Sequence, residues 1–343
     1  MLVRYRVHTP KLAEPATMGA HAVVAGRTTA GPCLVLEDYA TVRADGEVIR
    51  LGANVFLGVR ATVHIADSVY PAIVGDDVSV GRFGLVHACT LGDGVVVGDA
   101  ATVMDGAVVG AQALILPGAV VPPRKPLEGG LVYAGSPAKP QRALEPGELA
   151  RWHEAIRTRR SPAPSPATDL PADAPPLPLA APRFERSAAT FVAATARCGG
   201  AIELADDASI YFACVVDAGD ARIVLGRRAN IQDNSVLTAS RARGDLVIGD
   251  DVTVGHNVRM GAARIGDRAL VGMSAIVGDD VVVEADACVG AGAFVEPGTR
   301  VPSGWIVAGR PARPFRELKP AEREGFADIV TVYASYSEAY RGG

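Results

Sequence analysis

From Leu91 onward aliphatic residues recur at every sixth position, at Leu91, Val97, Val103, Val109, Ile115 and Val121, several of them followed directly by glycine. The spacing returns at Ile265, Val271, Val277, Val283, Val289, Val295 and Val301. A helix demands a period near 3.6 and a half-buried strand a period of 2, so a sustained period of six fits neither. It fits a short strand and a turn repeated as a coil, three hexapeptides closing one triangular turn of a parallel β-helix. The aliphatic residue then points into the prism, stacked turns pair backbone to backbone at about 4.8 Å, and small residues fill the corners. Phe, Trp and Tyr make up only 5% of the chain, as a narrow, regular interior requires. The spacing is silent on the hand of the coil.

The coil occurs twice. Residues 20–155 and 194–329 are diverged copies related by a constant offset of 174: Gly52 meets Gly226, Asp76-Asp77 meets Asp250-Asp251, and Gly135-Ser136-Pro137-Ala138-Lys139-Pro140 meets Gly309-Arg310-Pro311-Ala312-Arg313-Pro314. The 343 residues therefore divide into an N-terminal lobe over 1–160, a Pro/Ala-rich segment over 161–182 and a C-terminal lobe over 183–343. The middle segment cannot bury a core and reads as an extended, partly disordered linker, spanning some 60 to 70 Å at about 3.1 Å per residue. Each coil is followed by an amphipathic helical pattern. The first covers Glu145 to Arg159, with Leu149, Trp152 and Ile156 on one face; the second covers Lys319 to Arg341, with Phe326, Ile329, Val330 and Tyr333 on one face. Pro146 and Pro320 stand where a first helical turn tolerates proline. Both helices are expected to serve packing.

A net charge of −4 argues against a broad attraction to nucleic acid or to anionic membrane, and points to a small-molecule partner. Cys33, Cys89, Cys198, Cys214 and Cys288 are scattered singly, without the close pairs of a zinc knuckle or redox motif, and read as free buried thiols. Met1 to Thr17 has no apolar run of signal-peptide length, and no stretch reaches the ~20 apolar residues of a membrane span. A cytoplasmic protein is the expectation. His8, His21 and His153 read as solvated side chains.

The polar positions break the agreement between the copies. His64 faces Thr238 and His87 faces Gly261, whereas Arg82 faces His256 and the Gly58-Val59 pair faces Gln232-Asp233. Each copy has lost what the other kept. Independent decay would more often leave mismatched remnants, so the pattern reads as one composite site divided between two lobes. His64 follows Val63 and His87 follows Val86, which gives both the same slot of a hexapeptide. Their separation of 23 residues is one turn of 18 plus 5 that the Ala66 to Ala72 stretch can loop out, so the two are expected to stack on one face. The slot shared by Arg82 and His256 lies five residues before that of His87, around a corner, where an abutting lobe can present it.

These residues resemble the γ-class carbonic anhydrases and their relatives among hexapeptide-repeat proteins. The resemblance rests on Val42-Arg43-Ala44-Asp45 with Ile49-Arg50-Leu51-Gly52, on Val86-His87-Ala88-Cys89, on Asn230-Ile231-Gln232-Asp233, on Val254-Gly255-His256-Asn257 and on the Ala-Gly-x-Pro-Ala tails, and covers almost all of both lobes. It implies a mainly β protein of two tandem left-handed parallel β-helix lobes, each followed by a C-terminal α-helix, joined into trimer-like assemblies with a metal between adjacent lobes. His64 and His87 correspond to the two-ligand face and His256 to the neighbour's single ligand. The implied ion is zinc, with iron or cobalt as the other ions of such sites. Three neutral imidazoles leaving a fourth position open let zinc lower the pKa of bound water to about 7, and the resulting hydroxide attacks CO₂ to give bicarbonate. The resemblance further implies that Gln232 hydrogen-bonds the bound water, and that Arg43, Asp45 and Asp233 form an interface network orienting the ligands.

The chain departs from the family in two respects. The acidic proton-relay loop of some members is missing, since only Ile65 to Ala72 separate His64 from Ile73, and whole two-lobe chains do not close into a ring of three lobes. Other readings stand beside reversible CO₂ hydration. A metal-dependent hydrolase or lyase acting on a small metabolite keeps the same ligands. An acyl-CoA-dependent acyltransferase would use His256, followed by Asn257, as general base, but gives no reason for His64, His87 and Gln232-Asp233. A non-catalytic assembly subunit needs none of them. A homo-oligomer, or a pseudo-oligomer built through lobe contacts, is expected.

Overall fold

The computed structural model describes residues 1–158 and 179–342. The chain forms two compact units, Met1–Ala174 and Pro175–Gly343. Of the linker segment anticipated over 161–182, residues 161–178 lie outside the described residues, and 179–182 carry no regular secondary structure.

Each unit is a parallel β-solenoid with three faces. In the first, the long strand Thr41–Leu51 rounds a corner and belongs to two faces at once. One limb of its sheet continues through Thr62–His64, Leu85–His87, Thr102–Val103 and Val120–Val121, and the other through Ala72–Val74, Thr90–Leu91, Val108–Val109 and Pro126–Leu127. An eight-stranded sheet from Ala16–Met18 to Lys139–Ala143 makes the third face, its last pair antiparallel. The second unit repeats the plan around the corner strand Val215–Leu225.

The period of six is the interior. Leu91, Val97, Val103, Val109, Ile115 and Val121 are all buried in the first core, and Ile265, Val271, Val277, Val283, Val289, Val295 and Val301 in the second. Alanines 101, 107, 113 and 119 occupy inward positions before the strands, too small to obstruct the corners. Glycine follows the aliphatic residue because turns stack closely there: a Cβ on Gly98 would stand 2.6 Å from the backbone nitrogen of Pro117. Left-handed backbone recurs at corners, where Asn54, Asp77, Asn234 and Asn257 take φ of 55° to 60°, a conformation that short polar side chains tolerate.

Two helices follow the coils, α1 over Glu148–Arg157 and α2 over Pro320–Arg341. α1 is shorter than the apolar pattern suggests. Glu145 to Gly147 form a turn, with Gly147 at φ 70° as its cap, so Pro146 precedes the helix, whereas Pro320 does open α2. Trp152 and Ile156 seat α1 on Phe56, Val96, Leu114 and Val132 of the third face. Val330, Tyr333, Tyr336 and Ser337 are the buried residues of α2, which lies over Phe191–Val192, Asn230–Ile231 and Thr253–Val254. No helix among the described residues is long and apolar enough to cross a membrane.

Three details correct the sequence reading. Cys33 is exposed and Cys198 only half-buried, while Cys89, Cys214 and Cys288 are buried thiols as expected. His153 is no solvated side chain: it is half-buried, its Nδ1 lies 2.8 Å from Ser79 Oγ, and burial together with Arg157 holds its pKa below the usual histidine value. His21 is exposed but stacks on Tyr39 at 4.9 Å.

Candidate metal centre

Backbone register builds the first half of the site. Val42 pairs with Val63 and Val63 with Val86, all pointing inward, so the next residue of each strand emerges at the same corner. Arg43, His64 and His87 therefore stack in register on consecutive turns. The extra five residues between the histidines are absorbed where Ala66 bridges Tyr70 in a tight loop. Nδ1 of His64 lies 3.2 Å from Nε2 of His87. Two nitrogens each 2.0–2.1 Å from one tetrahedral ion stand about 3.3 Å apart, so the pair has the spacing of two ligands of a single cation.

The groups behind the imidazoles fit the same purpose. Asp105 Oδ1 lies 2.6 Å from His87 Nδ1, which fixes the proton there and turns the lone pair of Nε2 toward His64. Asp45 Oδ2 lies 3.7 Å from His64 Nε2, and the same carboxylate oxygen accepts a hydrogen bond from Arg43 Nη1. Arg43 and Asp45 are both buried. The sequence reading does not single out Asp105, although its position signals it: it follows His87 by 18 residues, one full turn.

The second unit carries a single buried histidine of similar construction. His256 follows the strand Thr253–Val254 and is buried, with Asp233 Oδ2 3.2 Å from its Nδ1. Asp233 also accepts the backbone N–H of Phe212 at 3.0 Å, so its carboxylate is held from both sides. On the opposite edge of the ring the Tyr333 hydroxyl lies 3.1 Å from His256 Nε2. Apolar spacing makes Tyr333 a packing residue of α2, yet its polar end reaches the histidine. The reason is length: Tyr333 corresponds by the offset of 174 to residue 159, and α1 ends at Arg157 while α2 runs to Arg341. Gln232 is buried beside Asn230, its amide donating to Asn230 Oδ1 at 3.3 Å.

The vacated positions have been refilled. Arg82, in the slot of His256, donates through Nε and Nη2 to Asp99 Oδ2 at 3.1 and 2.8 Å. Thr238, in the slot of His64, pairs in register with Asp217 and accepts from Arg243 Nη1 at 3.4 Å. At Gly261, in the slot of His87, a Cβ would meet Asp279 Oδ1 at 2.1 Å. Asp279 is the counterpart of Asp105, and without an imidazole to hold it accepts the backbone N–H of Ala262 at 2.9 Å.

Over 152 residues the chain is 38% identical to Protein YrdA of Escherichia coli (strain K12), a match spanning 43% of this chain and 83% of that protein. It is 33% identical over 155 residues to the γ carbonic anhydrase 1, mitochondrial, of Arabidopsis thaliana, covering 44% of this chain and 56% of the plant protein. The chain belongs to the γ-carbonic anhydrase-like family of hexapeptide-repeat proteins. No protein-family model matches it. Among solved structures, a proposed acetyltransferase from Desulfovibrio desulfuricans G20 aligns with 99% of this chain and 82% of its own at a TM-score of 0.60 and 13% identity, a likeness of fold alone. Both of these sequence matches span less than half of this γ-carbonic anhydrase-like chain.

Proposed function

We propose that the protein is a metalloenzyme of carbonic anhydrase type, in which His64 and His87 of a first unit and His256 of a second hold one divalent cation, zinc or else iron or cobalt. The observation that carries this reading is the His64–His87 pair, two imidazole nitrogens 3.2 Å apart with a carboxylate set behind each ring. The donor set is neutral nitrogen, as a catalytic zinc requires, and His256 has the same construction with Asp233 behind it.

These residues would hold the cation, and when bound it would supply the Lewis acidity that makes water a nucleophile toward CO₂ near neutral pH. The chain's own residues do the rest. Asp105 keeps the proton of His87 on Nδ1, so that its Nε2 faces the centre, and Asp233 stands 3.2 Å from Nδ1 of His256. Asp45, steadied by Arg43, stands 3.7 Å from His64 Nε2 and supplies negative charge on the far side of that ring. Gln232 and the Tyr333 hydroxyl are the neutral polar groups on the His256 side, suited to orient a small uncharged substrate without adding charge. Reversible hydration of CO₂ is the reaction we assign.

A second reading takes His256, backed by Asp233, as general base of an acyl transfer. It leaves the His64–His87 pair without a purpose. Metal analysis of the purified chain together with a CO₂ hydration assay separates the two: about one zinc, iron or cobalt per chain is expected, matching the single complete ligand set. His64→Ala and His256→Ala should each abolish tight metal binding and hydration although they lie in different units. A His256→Ala chain that keeps its metal and activity defeats the shared centre; a metal-free wild-type chain that binds acetyl-CoA establishes the alternative.

A further inference from the structure

We infer that the second unit carries a notch for the phosphate group of a small soluble phosphorylated compound, formed by Arg183, Arg222 and Arg241 around the short side chain of Ala201. The site is separate from the histidines and does not rest on the function proposed for them.

Register sets the geometry. Arg183 pairs with Ala201 and Ala201 with Arg222, while Ile223 pairs with Leu246, which puts Asp245 beside Arg222. Neighbouring strands lie about 4.8 Å apart, so the backbones of Arg183 and Arg222 stand about 10 Å from one another with only the methyl group of Ala201 between them. Arg241 closes a third side from the corner loop, where its backbone N–H donates to Asp220 Oδ1 at 2.7 Å. The depression has a volume of about 490 Å³, more than one phosphate occupies and suited to an attached small molecule.

The first unit serves as an internal control. The offset of 174 matches Arg183, Ala201, Arg222, Arg241 and Gly244 with Thr9, Arg27, Val48, Asp67 and Tyr70. The central position is thus filled in the first unit by Arg27, whose Nη1 donates to the Gly46 carbonyl at 3.0 Å, and is emptied to alanine in the second. The bulky Tyr70 gives way to Gly244. Four positions that hold one arginine and one aspartate in the first unit hold three arginines in the second.

The two carboxylates of the rim are already engaged. Asp220 accepts from the Arg241 backbone, and Asp245 accepts from Arg222 N, Nε and Nη2 at 3.0, 3.2 and 2.9 Å. Glu203, outside the rim, lies 3.4 Å from Arg222 Nη1. Asp245 thereby orients the Arg222 guanidinium, and the lining of the notch itself holds three arginines against two carboxylates. Three arginines lining one depression suit a tetrahedral oxyanion better than a planar carboxylate.

Calorimetric titration of the full-length protein with inorganic pyrophosphate, and separately with AMP, tests the inference at low ionic strength, where exposed arginines act most strongly. Ala201→Arg is the decisive variant, because it adds positive charge while restoring the plug of the first unit. The expected result is saturable one-to-one binding that Ala201→Arg and Arg241→Ser each weaken by about tenfold or more, with metal content and thermal stability unchanged. No saturable binding of either probe by the wild-type chain would overturn the inference. So would Ala201→Arg binding as well as the wild type or better, since that is the mark of diffuse attraction to a basic surface.

Discussion

At the scale of single residues, a carboxylate hydrogen-bonded behind an imidazole decides how that ring is presented. Asp105 lies 2.6 Å from His87 Nδ1 and holds both the tautomer and the tilt of the ring. Asp105→Asn keeps the shape but makes either ring proton acceptable, and the loss expected is about 10- to 100-fold in metal affinity, measured by competition with a chromogenic chelator. Equal affinity in the variant would show that Asp105 is not an orienting group. The histidine pair is legible in the sequence because a residue's neighbour on the next turn is fixed by the 18-residue turn plus any loop. Asp105 obeys the same rule, 18 residues after His87, but an isolated aspartate in a chain rich in corner aspartates carries no mark of its partner. Tyr333 is legible only as part of an apolar helical face. That its hydroxyl meets His256 depends on where α2 lies across the coil, which no local pattern encodes.

At the scale of elements, both helices are tied down by one device. Glu148 accepts a bidentate pair from Arg142 at 2.7 Å and turns back to the Glu145 backbone at 3.0 Å; Glu322 does the same with Arg316 and the Lys319 backbone. The paired arginine and the backbone N–H hold each of these carboxyls down at about 2, below the ordinary 4.5. A carboxylate whose pKa is depressed by folding stabilises the fold fully above the ordinary value, and that contribution is lost as the pH falls through the folded value. Melting temperature is therefore expected to fall between about pH 4.5 and 2, and the Glu148→Gln, Glu322→Gln double variant should start lower near neutral pH and fall less steeply over that range. Identical slopes would exclude these two groups. The helices themselves are legible from apolar spacing, which nonetheless starts α1 three residues early. Gly147, in left-handed backbone, delays the helix beyond the proline that would otherwise open it.

At the scale of the whole molecule, each unit has its own aliphatic core among the described residues. A cation bound by ligands from both units adds stability by mass action to whatever must be folded for it to bind. Loading the chain with zinc should raise its melting temperature by several degrees, consistent with roughly 2–4 kcal/mol of linkage at a large excess of metal over its dissociation constant. The increment should vanish in His64→Ala and in His256→Ala alike. If one variant retains it, the cation is held within a single unit. The period of six makes both coils legible from residue spacing alone, because stacking admits only one inward residue per face. The hand of the coil is not legible in that way, since the inward residue is the same for either hand.

The refilling of Gly261 reaches further than chemistry. The second unit needs two substitutions, at Thr238 and at Gly261 where Asp279 stands in the way of a new side chain, before it carries three imidazoles of its own, whereas the first lacks only the one at Arg82, which is bound to Asp99. The two copies are thus unequally placed: one substitution separates the first from three imidazoles of its own, and two separate the second.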